Sequence, residues 1–192
     1  MPIIGVVASG ISGRLSVPTG YYSIATATVT SGGAPSITFS SIPTSYTHLE
    51  LRWTAGDDRP TESMDDIIMQ FNGDSNNANY KNQRLYTKGT SVSADSVDGY
   101  GCAIGWGSAA GRTNSNVMGM GIATIPDYKS TKKKTVTAFS GMNNAPINTG
   151  QAGGNQNFGS IWHGTSPINE IKISGVNGNF VVNSVFHLYG MV

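Results

Sequence analysis

The chain reads as all-β: an antiparallel β-sandwich of jelly-roll type, with about nine or ten strands and at most one short helix. Three observations predict this. Short runs alternate apolar and polar residues with period two and recur at regular spacing. Turn formers punctuate them, with 25 glycines in 192 residues. Only 12% of residues are charged, about half the usual share, and the strong helix formers Glu, Lys, Leu and Ala do not dominate. Length fits one domain over residues 19–192, preceded by an arm over residues 1–18.

The arm opens Met1-Pro2-Ile3-Ile4-Gly5-Val6-Val7-Ala8-Ser9-Gly10. It lacks a basic stretch and is too short to span a bilayer, so it is read as neither a secretion signal nor a membrane anchor. An apolar arm broken by glycine is expected to add a strand to its own sheet or to pack on a neighbouring subunit. Ile3, Ile4, Val6 and Val7 are therefore the candidate interface residues.

Strands follow in order. Tyr22 to Val29 alternates small residues with Thr, and Ser31-Gly32-Gly33-Ala34-Pro35 turns the chain. Ile37 and Phe39 share a face until Ile42-Pro43 breaks the strand. Leu49, Leu51 and Trp53 oppose His48, Glu50 and Arg52, the pattern of a half-buried strand. After an acidic loop from Asp57 to Asp66, Ile67, Met69 and Phe71 restart a strand that ends at Asn72-Gly73-Asp74. Asn76 to Lys88 is the one place for a short helix, capped by Asn76 or Asn77, with Tyr80, Arg84 and Leu85 on neighbouring turns. Gly89 to Asn116 mixes a strand with a long loop. Met118, Met120 and Ile122 then alternate with Gly119, Gly121 and Ala123. Lys134 to Ser140 is a strand with Val136 and Ala138 on one side, and Asn143 to Asn157 is a glycine-rich loop. Phe158 to Gly164, Ile168 to Ser174 and Val181 to Met191 complete the set. The closing run reads as strand, turn and strand, and its last strand must be paired within a sheet to avoid a sticky edge.

Candidate chemistry is sparse. Net charge is +1, which implies no general affinity for nucleic acid or an anionic membrane. Lys132-Lys133-Lys134, the only basic run, reads as a solvated strand edge. A single cysteine, Cys102, excludes an intrachain disulfide and any multi-cysteine zinc site. A buried apolar role suits it better than a nucleophilic one, which would need His48, His163 or His187 beside it. Asp74-Ser75-Asn76-Asn77-Ala78-Asn79 superficially resembles a calcium loop, but Ala78 replaces a ligand and no Glu follows at the required spacing, so a plain Asx-rich turn is expected. Asp57, Asp58, Glu62, Asp65 and Asp66 read as a solvated rim with Arg59 rather than as a glycosidase pair. His48 is expected to form a surface pair with Glu50. Trp106 and Trp162 are read as core anchors in preference to sugar-stacking platforms. No metal, cofactor or catalytic residue is expected.

Three patches resemble a family of small all-β structural proteins, virion or tail components of tailed bacteriophages and cyanophages. They are the opening Met1 to Gly13, the stretch Ile37 to Leu49 with its later Phe71-Asn72-Gly73-Asp74 and Asn79-Tyr80 turn, and the ending Gly178-Asn179-Phe180 to Phe186-His187-Leu188-Tyr189-Gly190. These are packing and turn motifs, and the resemblance carries no catalytic residues. It implies a virion component assembled in the host cytoplasm. Low charge, an apolar arm and an uncharged polar surface suit a capsid cement or decoration protein, whose partners are the major capsid protein and further copies of itself. The alternative is a tail-fibre or tail-tip adhesin, with tail proteins and a host glycan as partners. A depolymerising hydrolase would need two carboxylates facing across a cleft.

Overall fold

The computed structural model describes residues 20–60, 62–109, 117–143 and 153–192. The arm residues Ile3, Ile4, Val6 and Val7 lie outside the described residues, as does most of the expected glycine-rich loop.

The class is all-β. Twelve strands are present among the described residues: β1 (Tyr21–Thr28), β2 (Ile37–Phe39), β3 (His48–Asp57), β4 (Met64–Phe71), β5 (Tyr80–Lys88), β6 (Ser91–Asp98), β7 (Cys102–Ala109), β8 (Gly119–Ile125), β9 (Lys134–Asn143), β10 (Gly153–Trp162), β11 (Ile171–Gly175) and β12 (Val185–Met191). They form one connected mixed sheet in the order β2-β11-β4-β7-β3-β8-β9-β10-β5-β6, with β12 pairing both β3 and β1. All ladders are antiparallel except a short parallel step between β3 and β7, Gly56 opposite Ser108 and Asp57 opposite Ala109. That step joins an eight-stranded part (β1, β12, β3, β8, β9, β10, β5, β6) to a four-stranded part (β2, β11, β4, β7) and corrects the expectation of a purely antiparallel sheet.

The smaller part folds over the larger. A Cβ at Gly105 of β7 would lie 2.5 Å from both Ser140 of β9 and Trp53 of β3, so only glycine lets these backbones approach. Ser160 Oγ donates to Ala103 O across 3.1 Å, and Asn82 donates to Gly101 O while accepting from Ala103 N. Between the parts lies the core, which includes Leu49, Leu51, Trp53, Ile67, Met69, Phe71, Ile104, Val136, Phe158, Ile171, Phe186 and Leu188. β3 follows the expected alternation: Leu49, Leu51 and Trp53 point in, while His48 and Arg52 point out. Val136 and Ala138 also point in.

The strand count exceeds the nine or ten expected, with twelve among the described residues, and four further expectations need correction. The helix over 76–88 is a single 3-10 turn, Asn77–Asn79, followed by β5. Asn76 does cap that turn, accepting from Ala78 N. Residues four apart share a face in a strand as well as in a helix, so Tyr80 and Arg84 did not discriminate between them. The closing strand–turn–strand is not a hairpin: β11 pairs β2 and β4, whereas β12 pairs β1 and β3. The final strand is thus paired on both sides, as expected. The glycine-rich loop is shorter than expected, because β10 already begins at Gly153. Lys134, finally, is no solvated edge. It opens the interior strand β9, buried, with Nζ donating to Ser130 O (2.8 Å) and to Lys132 O. Lys132 and Lys133 remain exposed.

Candidate interaction face

The outward face of the eight-stranded part is broad and thinly charged. Strand register sets its pattern. Along one row, His187, Arg52, Ile122, Phe139, Asn157 and Leu85 stand side by side on β12, β3, β8, β9, β10 and β5. The next row carries Val185, Thr54, Met120, Gly141 and Asn155. Several large apolar side chains on this face stay in solvent: Met120 is 64% exposed, Phe139 50%, Leu85 51% and Val92 69%. Isolated exposed apolar residues are ordinary, but neighbours at adjacent register positions make a patch.

A shallow groove of about 590 Å³ follows these two rows, lined by Arg52, Thr54, Met120, Ile122, Phe139 and His187 among others. Gly141, in the outward row between Met120 and Asn155, contributes no side chain to its floor. Arg52 marks one end. Its Nε donates to Glu50 Oε1 at 2.8 Å, and its guanidinium lies 5.0 Å from the Tyr21 ring centre and 5.3 Å from that of Tyr189. The bond to Glu50 holds the guanidinium above its ordinary range. The charge at this end is thereby neutralised, and β1, β12 and β3 are tied together. Two further depressions on the same face meet at Gly159, where the missing side chain leaves space among Gln83, Ser96 and Asn157.

Of the residues singled out for chemistry, His187 lines this groove; the others lie elsewhere and apart. Cys102 is fully buried at the start of β7, and burial pushes its thiol well up. His48 Nδ1 accepts from Asp127 N, His187 Nδ1 meets Thr26 Oγ1, and the backbone of His163 donates to Asn79 O. The expected His48–Glu50 pair is replaced by Arg52–Glu50. Trp106 and Trp162 are buried strand residues, as the core reading expected. Trp162 Nε1 donates to Asp74 Oδ2, which also receives Asn79 Nδ2, so Asp74 organises a plain Asx-rich turn.

The acidic segment is only in part the solvated rim expected: Asp58 and Glu62 are exposed, and Glu62 pairs with Arg59, but two of its carboxylates are buried. Asp57 and Asp65 are 3% and 2% exposed. Asp65 binds Asn177 N and Nδ2, Gly178 N and, at 3.3 Å, Arg59. Asp57 Oδ1 accepts from Arg59 N, while its Oδ2 has no partner. Burial first, and the nearby charges of Asp65 and Asp58, push Asp57 up to about 7. Asp58, by contrast, is held low by the side chain and backbone of Asn179. On the other side Asp66 is raised by burial and moderated by Arg84, whose fork holds Asp95 at 2.7 and 2.9 Å. These carboxylates pin the 176–180 connection and the β5–β6 hairpin; they do not face one another across a cleft. Sequence reasoning missed their burial because it requires Asn177 and Gly178, more than a hundred residues away.

Among the described residues, no group of three or more His, Cys, Asp or Glu side chains is placed to hold a metal ion. No helix there is long and apolar enough to cross a membrane. No protein-family model matches the chain, and no curated protein matches it.

Proposed function

We propose that the chain is a structural protein of a tailed-phage virion, a capsid cement that holds neighbouring subunits by contact. The observation that carries this reading is the outward sheet face, where Met120, Ile122 and Phe139 form a weakly charged apolar patch, with Leu85 beyond Asn157 in the same row. Such a surface gains by being covered with another protein surface. Its twelve strands, tied by long-range ladders, give the rigidity that a bridging element needs. The apolar segment from Ile3 to Val7 supplies a second contact element. Mechanically, many identical contacts between neighbouring capsomers would oppose internal DNA pressure.

Quantitative mass spectrometry of purified particles tests this, with the major capsid protein as reference. A ratio near the capsid copy number, in the range of hundreds, is expected. A few to tens of copies overturns the cement reading. The depressions around Gly159 favour a second reading in that case. Gln83, Asn157, Ser96 and the Lys81–Asp98 pair (2.8 Å) offer convergent polar groups to the hydroxyls of a host glycan, as a tail adhesin requires. Binding on a glycan array, lost on filling the space with Gly159→Leu, tests that reading.

A further inference from the structure

The groove on the outward face has the dimensions and chemistry of a peptide site, and the chain contains a segment that matches it. We infer that the groove of one copy receives residues Ile3 to Val7 of a second copy. This deepens the cement reading and rests on it for its purpose, because it supplies the joint between subunits.

Three observations carry the assignment. The first is size. The groove crosses β12, β3, β8, β9 and β10, four inter-strand steps or about 19 Å at the usual spacing. Five extended residues span about 17 Å. The second is chemistry. Met120, Ile122 and Phe139 line the middle of the groove, and its one formal cation, Arg52, is already paired with Glu50. Residues 1–13 carry no charged side chain, with Arg14 the first in the sequence. An uncharged apolar peptide therefore enters without stranding a charge.

The third is where the described chain starts. Tyr21 packs against Arg52, a lining residue of the groove, so the first described strand starts close to it. β1 begins opposite Met191, and Met191 lies opposite His48, whereas the groove lies at the rows of Arg52 and Thr54 further up the sheet. β1 runs toward those rows, so its first residue, Tyr21, lies at the His48 end of the face. The 13 residue steps from Val7 to Gly20 can span at most about 43 Å, more than twice the roughly 19 Å of the groove, so the reach of the segment is not confined to its own copy. Ile4 and Val6, two apart, would then face the groove together.

The test uses two full-length variants. Ile4→Cys is mixed with isotope-labelled Phe139→Cys under mild oxidation. The native Cys102 is fully buried and does not compete. A disulfide joining position 4 of the unlabelled copy to position 139 of the labelled one is the expected product, since only contact between copies can form it. Its absence overturns the inference. So does a double variant that closes the same bridge solely within one chain, because the segment would then cover its own groove. As a second readout, full-length Phe139→Asp changes a half-exposed side chain and spares the core. It should weaken self-association in sedimentation equilibrium at least tenfold, and unchanged association overturns the inference as well. Copy number per particle is read separately, so failure of this joint and failure of the cement role remain distinguishable.

Discussion

Trp53 lies over Gly121: a Cβ at that glycine would come within 2.5 Å of Cζ2 in the ring and 2.9 Å of Phe139 O. Neither neighbour yields easily, since Trp53 is 3% exposed and the oxygen belongs to the β8–β9 ladder. Gly121→Ala should therefore destabilise the fold by about 1–3 kcal/mol, the usual cost of overpacking. Thermal or urea unfolding measures it. Gly159→Ala, on the same sheet but with open space around it, should change stability by no more than about 1 kcal/mol. Equal effects at the two positions would contradict the packing described.

Asp57 gives the fold a pH dependence of unusual sign. Its carboxyl is raised from 3.8 to about 7, so the folded state holds this proton more tightly than the unfolded state does. Its contribution to stability is full below about 3.8, falls as pH rises toward 7, and is then lost. Asp66, also raised, acts in the same direction, whereas Asp58 and Asp74, held low, stabilise above the ordinary carboxylate range and lose that stability in acid. The comparison with Asp57→Asn isolates the effect. That variant should be flatter between pH 4 and pH 7 and, at pH 8, more stable by about 2–4 kcal/mol. Denaturant melts across this range provide the measurement, and parallel curves for the two proteins would refute the assignment.

Cys102 should be silent in the native state. It is fully buried at the start of β7, opposite Met69, and burial disfavours its thiolate. Labelling by an aromatic disulfide reagent should run at least about 10³-fold slower than in denaturant, with a rate that follows opening of the fold. Rapid labelling of the native protein would mean that β4 and β7 separate readily.

Much of the fold was legible because period-two alternation survives in most strands. Leu49-Leu51-Trp53 announced both a strand and its buried side, whereas the glycine–methionine alternation of 118–123 announced a strand but not that Gly119 and Ala123 are buried while Met120 lies in solvent. What was not legible depends on distant partners. The single parallel step needs Gly56 and Asp57 to meet Ser108 and Ala109, and local pattern carries no trace of it. The break between β11 and β12 was hidden because Gly175 to Asn179 looks like a tight turn with a strand from Val181, although here residues 176–184 cross between the two parts of the sheet. The outward face was half legible. Met120 and Ile122 were placed on a common side, but only register adds Phe139 and Leu85 to make a patch.

Lys134 shows how a charge can be read correctly as a type and wrongly as a position. Following two exposed lysines, it looks like part of a solvated run, yet its ammonium turns back to Ser130 O and Lys132 O and lies 5.9 Å from the Trp162 ring. Burial lowers its pKa, but two carbonyl acceptors keep the charge hydrogen-bonded. Lys134→Met preserves the stem and removes both bonds, leaving two carbonyls of the 130–132 turn without this donor. A loss of about 1–3 kcal/mol is expected in urea unfolding. Lys133→Met, one residue earlier and exposed, should change stability by less than about 0.5 kcal/mol. If the two substitutions proved equally mild, the ammonium would have to be solvated rather than closing this turn.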